Sequence, residues 1–229
     1  MKRPILALIA LAAAASTNAF AASLTVNGWT LGENVTIAAG ADTGTVNTAQ
    51  LNLSYGGVSG YSYCVDLAQT IGPGTTAGWS ALSPSSNADI IRAAWLVDTF
   101  QPEFPSLLHP AGGAYSFAVT KQTEIAALQV AIWEVMSDSP GNYDIFSGSF
   151  ALASGGVSAG VANLAREFLS DLSSANLSTF QTNDIWLQNG SFQDQLFVGT
   201  TNPIPEAGTI ALYLVSAAFA AIALRRQAS

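Results

Sequence analysis

Two side chains of this 229-residue chain have the types and the setting for acyl chemistry: Cys64, its only cysteine, and Gln129. Gln129 lies within residues 120–133, TKQTEIAALQVAIW. There Ile125, Leu128, Gln129, Ile132 and Trp133, with Met136 beyond, recur at the spacing of one helix face turned to a core. Between Ile125 and Trp133 only Gln129 is polar. A buried primary amide without partners costs a few kcal/mol, so the fold must use it. The plain use is to cap a neighbouring backbone group. Cys64 sits in GYSYCVDL, residues 60–67. A lone cysteine makes no internal disulfide, which leaves a buried inert thiol, an intermolecular link or a reactive group. The pair opens a fourth possibility. A thiol that attacks a glutamine carboxamide expels ammonia and leaves an internal thioester, an acyl donor that an external amine opens to form an amide.

The elements that must hold these groups are legible from periodicity. Alternation through residues 61–67 puts Tyr61, Tyr63, Val65 and Leu67 on one strand face and Ser62, Cys64 and Asp66 on the other. Asp66 is thereby a candidate to assist proton transfer at Cys64, or a plain acceptor of backbone hydrogen bonds. Upstream, residues 24–29 alternate, residues 35–37 are β-branched, residues 51–55 alternate again, and Gly56-Gly57 is a turn leading into the cysteine strand. Four short strands with glycine turns predict a sandwich or barrel. Residues 71–76 read as a loop, Ser86-Asn87-Ala88-Asp89 as a capping box, and Ile90, Ile91, Ala94, Trp95 and Val97 as the apolar face of a helix stopped by Phe100-Gln101-Pro102. That helix is expected to pack beside the Gln129 helix. Residues 156–160 read as a flexible lead into a helix over 161–172, with Leu164, Phe168, Leu169 and Leu172 inward, and residues 184–187 and 193–198 return to strands. The expected class is α+β: a β-rich sandwich or barrel with an inserted helical layer.

Tyr63-Cys64-Val65-Asp66 on a strand, followed by Leu128-Gln129-Val130-Ala131-Ile132-Trp133 on a helix, resembles the paired signature of bacterial thioester domains. The resemblance implies that Cys64 and Gln129 form the bond. Adhesin members often carry Thr where this chain has Leu128 and an aromatic where it has Val65. The similarity spans roughly residues 23–199 and rests on these two motifs. It implies an acyl donor consumed once rather than a turnover enzyme, with an amine on a surface or matrix component as its partner.

The termini carry a different kind of signal. Lys2 and Arg3, an apolar run over residues 5–15 and Ala19-Phe20-Ala21 have the layout of a secretory signal peptide, too short in its apolar run to span a membrane. Residues 1–21 are therefore expected to be removed. Residues 22–199 are the expected domain, and residues 200–229 a linker and anchor. In that tail Pro205-Glu206-Ala207 precedes an apolar run over 207–224 and then Arg225-Arg226. The run is long enough for a transmembrane helix, with the arginines held on the cytoplasmic side. The layout resembles the PEP-CTERM sorting signal, with Ala207 where that family has proline. The resemblance implies exosortase machinery, the inner membrane and finally the cell surface or extracellular matrix.

Charge bounds the partners. The net charge is −8, with 15 acidic residues against seven basic ones. Lys2, Arg3, Arg225 and Arg226 fall in the terminal segments, leaving Arg92, Lys121 and Arg166 in the body. Such a body repels phosphate backbones, which excludes nucleic acid. Lys121 is eight residues before Gln129, about 12 Å along a helix and out of its reach. His109, the only histidine, would be the base of a Cys64 hydrolase, but Leu108-His109-Pro110 reads as a surface loop. Gly156-Val157-Ser158-Ala159-Gly160 matches a nucleophile elbow in form, yet no histidine follows Ser158 to complete the triad order. No metal cluster, phosphate loop or cofactor motif is present in the sequence. Three readings follow: a surface protein attached covalently through a thioester, a surface or matrix protein of the same fold that binds without covalent chemistry, and a secreted cysteine hydrolase.

Overall fold

The computed structural model describes residues 22–39, 42–101 and 119–199. The signal sequence, His109, the linker and the Pro205, Glu206, Ala207, Arg225, Arg226 segment lie outside the described residues. Among the described residues no helix is long and apolar enough to cross a membrane.

Six antiparallel strands close into a barrel. They are β1 (Ala22–Ala39), β2 (Asp42–Tyr55), β3 (Val58–Cys64), β4 (Thr76–Leu82), β5 (Ile185–Gln188) and β6 (Gln195–Gly199), in the spatial order β1-β2-β3-β6-β5-β4 with β4 back against β1. The two segments expected as separate strands around residues 24–29 and 35–37 form one 18-residue strand. Its register against β2 shifts between Val26 and Gly28 and again between Leu31 and Asn34, and these irregularities let a long strand bend around a barrel. The Gly56-Gly57 turn is as expected: both glycines have positive φ, 55° and 85°, the requirement of a two-residue hairpin turn.

Three helices, α1 (Ala88–Phe100), α2 (Lys121–Ser137) and α3 (Ala159–Ser174), are inserted between β4 and β5 and form one layer, with α2 packed on both α1 and α3. The cap of α1 corrects the expected capping box. Asn87, not Ser86, accepts the Asp89 and Ile90 amides at 2.7 and 3.3 Å. Ser158 accepts the Val161 amide and caps α3, so the elbow-like motif is a helix start. The expected flexible lead is instead tied down. Thr36 N donates to Gly156 O at 2.7 Å, and a Cβ on Gly156 would lie 2.7 Å from Thr36 Cβ.

Strand alternation divides the interior in two. Leu24, Val26, Leu51, Leu53, Tyr55, Cys64, Trp79, Leu187 and Phe197 fill the barrel. Val35, Ile37, Tyr63, Val65 and Leu196 face the helices and pack with Ile90, Leu96, Leu128, Ile132, Phe150, Phe168 and their neighbours. Helix α2 runs through the middle of this second core. Every residue from Thr123 to Val135 is buried, which corrects the expectation of a single apolar stripe: Glu124 and Glu134 are inside along with Gln129. An element covered by two helices and the β1–β2 ribbon has no solvent face to keep polar.

Candidate functional site

The start of α2 is fixed against the barrel by side-chain bonds. Thr120 accepts the Thr123 amide, the Thr123 hydroxyl donates to Glu33 Oε1 at 2.7 Å, and Thr48 Oγ1 donates to Glu33 O at 2.7 Å. Gly32 permits this approach, because a Cβ there would stand 2.3 Å from Thr48 Oγ1 and 2.9 Å from Ala126 N. Two turns further on, Gln129 meets the last residue of β3.

The β2–β3 ladder has its last pair at Leu51 and Ser62, so no strand partner reaches the N–H and C=O of Cys64 on that side. Gln129 takes the place of one. Cys64 N donates to Gln129 Oε1 at 3.1 Å, and Gln129 Nε2 donates to Cys64 O at 2.7 Å. The Gln129 carboxamide, fully buried, is thereby held on both sides of its acyl carbon. An N–H aimed at its oxygen also polarises the carbonyl in the manner of an oxyanion donor.

The sulfur points elsewhere. By the alternation that sends Tyr63 and Val65 to the helices, Cys64 Sγ enters the barrel. There it faces Gln195, its cross-strand partner on β6. Gln195 Nε2 donates to Sγ at 3.4 Å and to Gln193 O at 3.0 Å, while Gln195 Oε1 accepts the Ser62 hydroxyl at 2.8 Å. Burial pushes the Cys64 thiol up to about 12; the Gln195 hydrogen bond works against that shift and the nearby Asp66 charge adds to it. Cys64 is a neutral thiol at physiological pH.

Gln195 was not singled out from sequence. The available signal was the one that marked Gln129: a polar side chain at an inward-facing position, two residues before the apolar Phe197 on the same strand face.

Asp66 lies beyond the end of β3 and has both carboxylate oxygens occupied by backbone. Oδ1 accepts Ala68 N at 3.0 Å and Gln69 N at 3.2 Å, and Oδ2 accepts Asp194 N at 2.6 Å. These bonds tie the exit of β3 to the entry of β6. Asp66 and Asp194 also border a polar cleft of about 430 Å³ lined further by Ala68, Gln69, Ser80, Gln188, Asn189 and Gly190. Among the described residues no group of three or more His, Cys, Asp or Glu side chains is disposed to hold a metal.

Buried acids away from the site contribute to the pH response of the fold, among them Glu134, which burial and then the charge of Asp138 push up to about 7. Asp184, just before β5, is pushed up to about 8, chiefly by burial and then by the charge of Asp98, with the Thr182 hydroxyl opposing. Its folded pKa is above the unfolded value. The stabilisation it confers is therefore complete below about pH 4 and is lost as pH rises through about 8. Thermal unfolding followed from pH 5 to pH 8.5 is expected to show a falling midpoint. Asp184→Asn should flatten that slope and stabilise the chain at pH 8.5 by on the order of 2 kcal/mol; an unchanged slope would remove Asp184 as its cause.

Compared with known proteins, the chain matches no family model and no curated protein. Among solved structures it is similar to the N-terminal thioester domain of fibronectin-binding protein SfbI from Streptococcus pyogenes, at 13% identity over 82% of this chain and 97% of that one, with a TM-score of 0.42.

Proposed function

We propose that residues 22–199 are an exported surface module carrying an internal Cys64–Gln129 thioester, spent once on an amine of a surface or matrix component to attach the protein covalently. In forming the bond, Sγ joins the Gln129 acyl carbon, the bond from that carbon to Nε2 breaks, and the thiol proton leaves with the nitrogen as ammonia. The observation that carries the reading is the buried Gln129 carboxamide clamped to the backbone of the chain's only cysteine, 65 positions away. The Cys64 and Gln129 motifs, which resemble those of thioester domains, supply the chemical class. In the same reading the terminal segments export the chain and then anchor it through a PEP-CTERM-like signal handled by exosortase machinery.

One observation favours the non-covalent alternative: both polar ends of the Gln129 amide have good partners as they stand, so a thiol and an intact amide coexist stably. For the hydrolase reading, the described side chain hydrogen-bonded to Cys64 Sγ is Gln195, an amide that cannot act as its base.

The test is the intact mass of the chain purified without amine buffers. The expected mass is short by one ammonia, is restored to full value in Cys64→Ala, and gains methylamine on exposure to that amine. A full mass with a titratable thiol in the wild type would leave the non-covalent module.

A further inference from the structure

A second carboxamide, that of Gln195, hydrogen-bonds the reacting sulfur. We infer that Gln195 is a catalytic residue of the thioester site, its side-chain N–H stabilising the charge that gathers on Cys64 Sγ as an amine displaces it. This rests on the thioester reading proposed above.

The orientation of the amide follows from its neighbours. Gln193 O can only accept, so the atom 3.0 Å from it must be the nitrogen. The oxygen on the other side is held by Ser62 at 2.8 Å. A primary amide has two N–H bonds; one goes to Gln193 O and the other is left for Sγ, at 3.4 Å. Gln195 is fully buried and Cys64 nearly so, so this donor stands where water would otherwise solvate a departing sulfur. In the displacement, the amine nitrogen attacks the Gln129 acyl carbon and the bond from that carbon to Sγ breaks with its electron pair going to sulfur. The nitrogen sheds one proton, and sulfur ends as the thiol. Without Gln195 the sulfur, clustered with Leu51, Leu53, Trp79 and Phe197, would accept no side-chain hydrogen bond among the described residues, the buried Trp79 Nε1 having no partner.

Gln195→Leu and the isosteric Gln195→Glu both delete the N–H, and either serves if the other misfolds. Three quantities are read on wild type and variants: intact mass, the rate of methylamine incorporation, and the pH profile of Cys64 alkylation by iodoacetamide. The last is taken on the thiol freed by methylamine, or on the thiol present from the start if no thioester forms. The expected result is a retained ammonia deficit, methylamine incorporation slowed between about ten- and a hundredfold, and an alkylation profile moved to higher pH. Folded variants that open at the wild-type rate with an unmoved alkylation profile would overturn the assignment. So would an ammonia deficit that survives Gln129→Ala but not Gln195→Leu, since Gln195 would then be the acyl donor itself. A wild-type chain of full mass would instead refute the thioester, and the alkylation profiles would still decide whether Gln195 stabilises the sulfur.

Discussion

Gln129→Ala is expected to abolish methylamine incorporation completely and, at the same time, to destabilise the domain by about 2–5 kcal/mol. The two losses have separate causes. The first is chemical: without the carboxamide no acyl carbon exists. The second comes from the Cys64 N–H and C=O, which Gln129 alone satisfies on that side of β3. Alanine reaches neither, and each buried group left unpaired costs about 1–3 kcal/mol. Cys64→Ala separates the effects, since it removes the sulfur but keeps the backbone groups that Gln129 holds. It should abolish incorporation as fully with a much smaller loss in denaturant unfolding. Equal stability losses in the two variants would show that the backbone clamp contributes little.

Gly60→Ala should be the most damaging single methyl at the described glycines. A Cβ at residue 60 would lie 2.0 Å from Val198 O and 2.8 Å from Phe197 Cε2. Both atoms are on β6, and one is backbone that cannot turn aside. Gly60 pairs with Gly199 at one end of the β3–β6 ladder, whose other end joins Cys64 to Gln195. Forcing the strands apart there would shift the whole register that aligns the thiol with its partner. The expected cost exceeds about 4 kcal/mol, beyond the range of ordinary substitutions, and the variant should lose its cooperative unfolding transition. Gly190→Ala is the control. Its added Cβ meets nothing within 4 Å, and its unfolding midpoint should match the wild type.

Much of this architecture was legible in the sequence where periodicity was strong. The alternation around Cys64 gave the correct division of faces, and Leu164, Phe168, Leu169 and Leu172 were read correctly as the buried side of α3. Closure of the barrel was not legible. Strand β4 has one fully buried side chain, Trp79, among small or exposed residues, so its alternation is faint. Its partners β1 and β5 are distant in sequence, and no local pattern records such pairings. In α2 the helix and the burial of Ile125, Leu128, Gln129, Ile132 and Trp133 were read correctly, but that of Glu124 and Glu134 was not, for a related reason: a helix enclosed on all sides keeps its carboxylates inside, and only the assembled layers reveal this. The Cys64–Gln129 juxtaposition was anticipated, but its form was not. The amide faces the cysteine backbone, and the second glutamine at the sulfur arrives from a strand 131 residues away in sequence.

The enclosure of α2 bears on how long a masked acyl group would keep. A helix with no exposed face from Thr123 to Val135 cannot peel away piecemeal, so the openings that bare Gln129 to bulk solvent are those that dissolve the core around it. If the thioester forms, hydrolysis of the unspent bond and its attack by an amine would share this requirement, both waiting on an opening of the core around Gln129. Substitutions far from Cys64 would shorten the bond's shelf life as surely as those beside it, in proportion to the stability they remove.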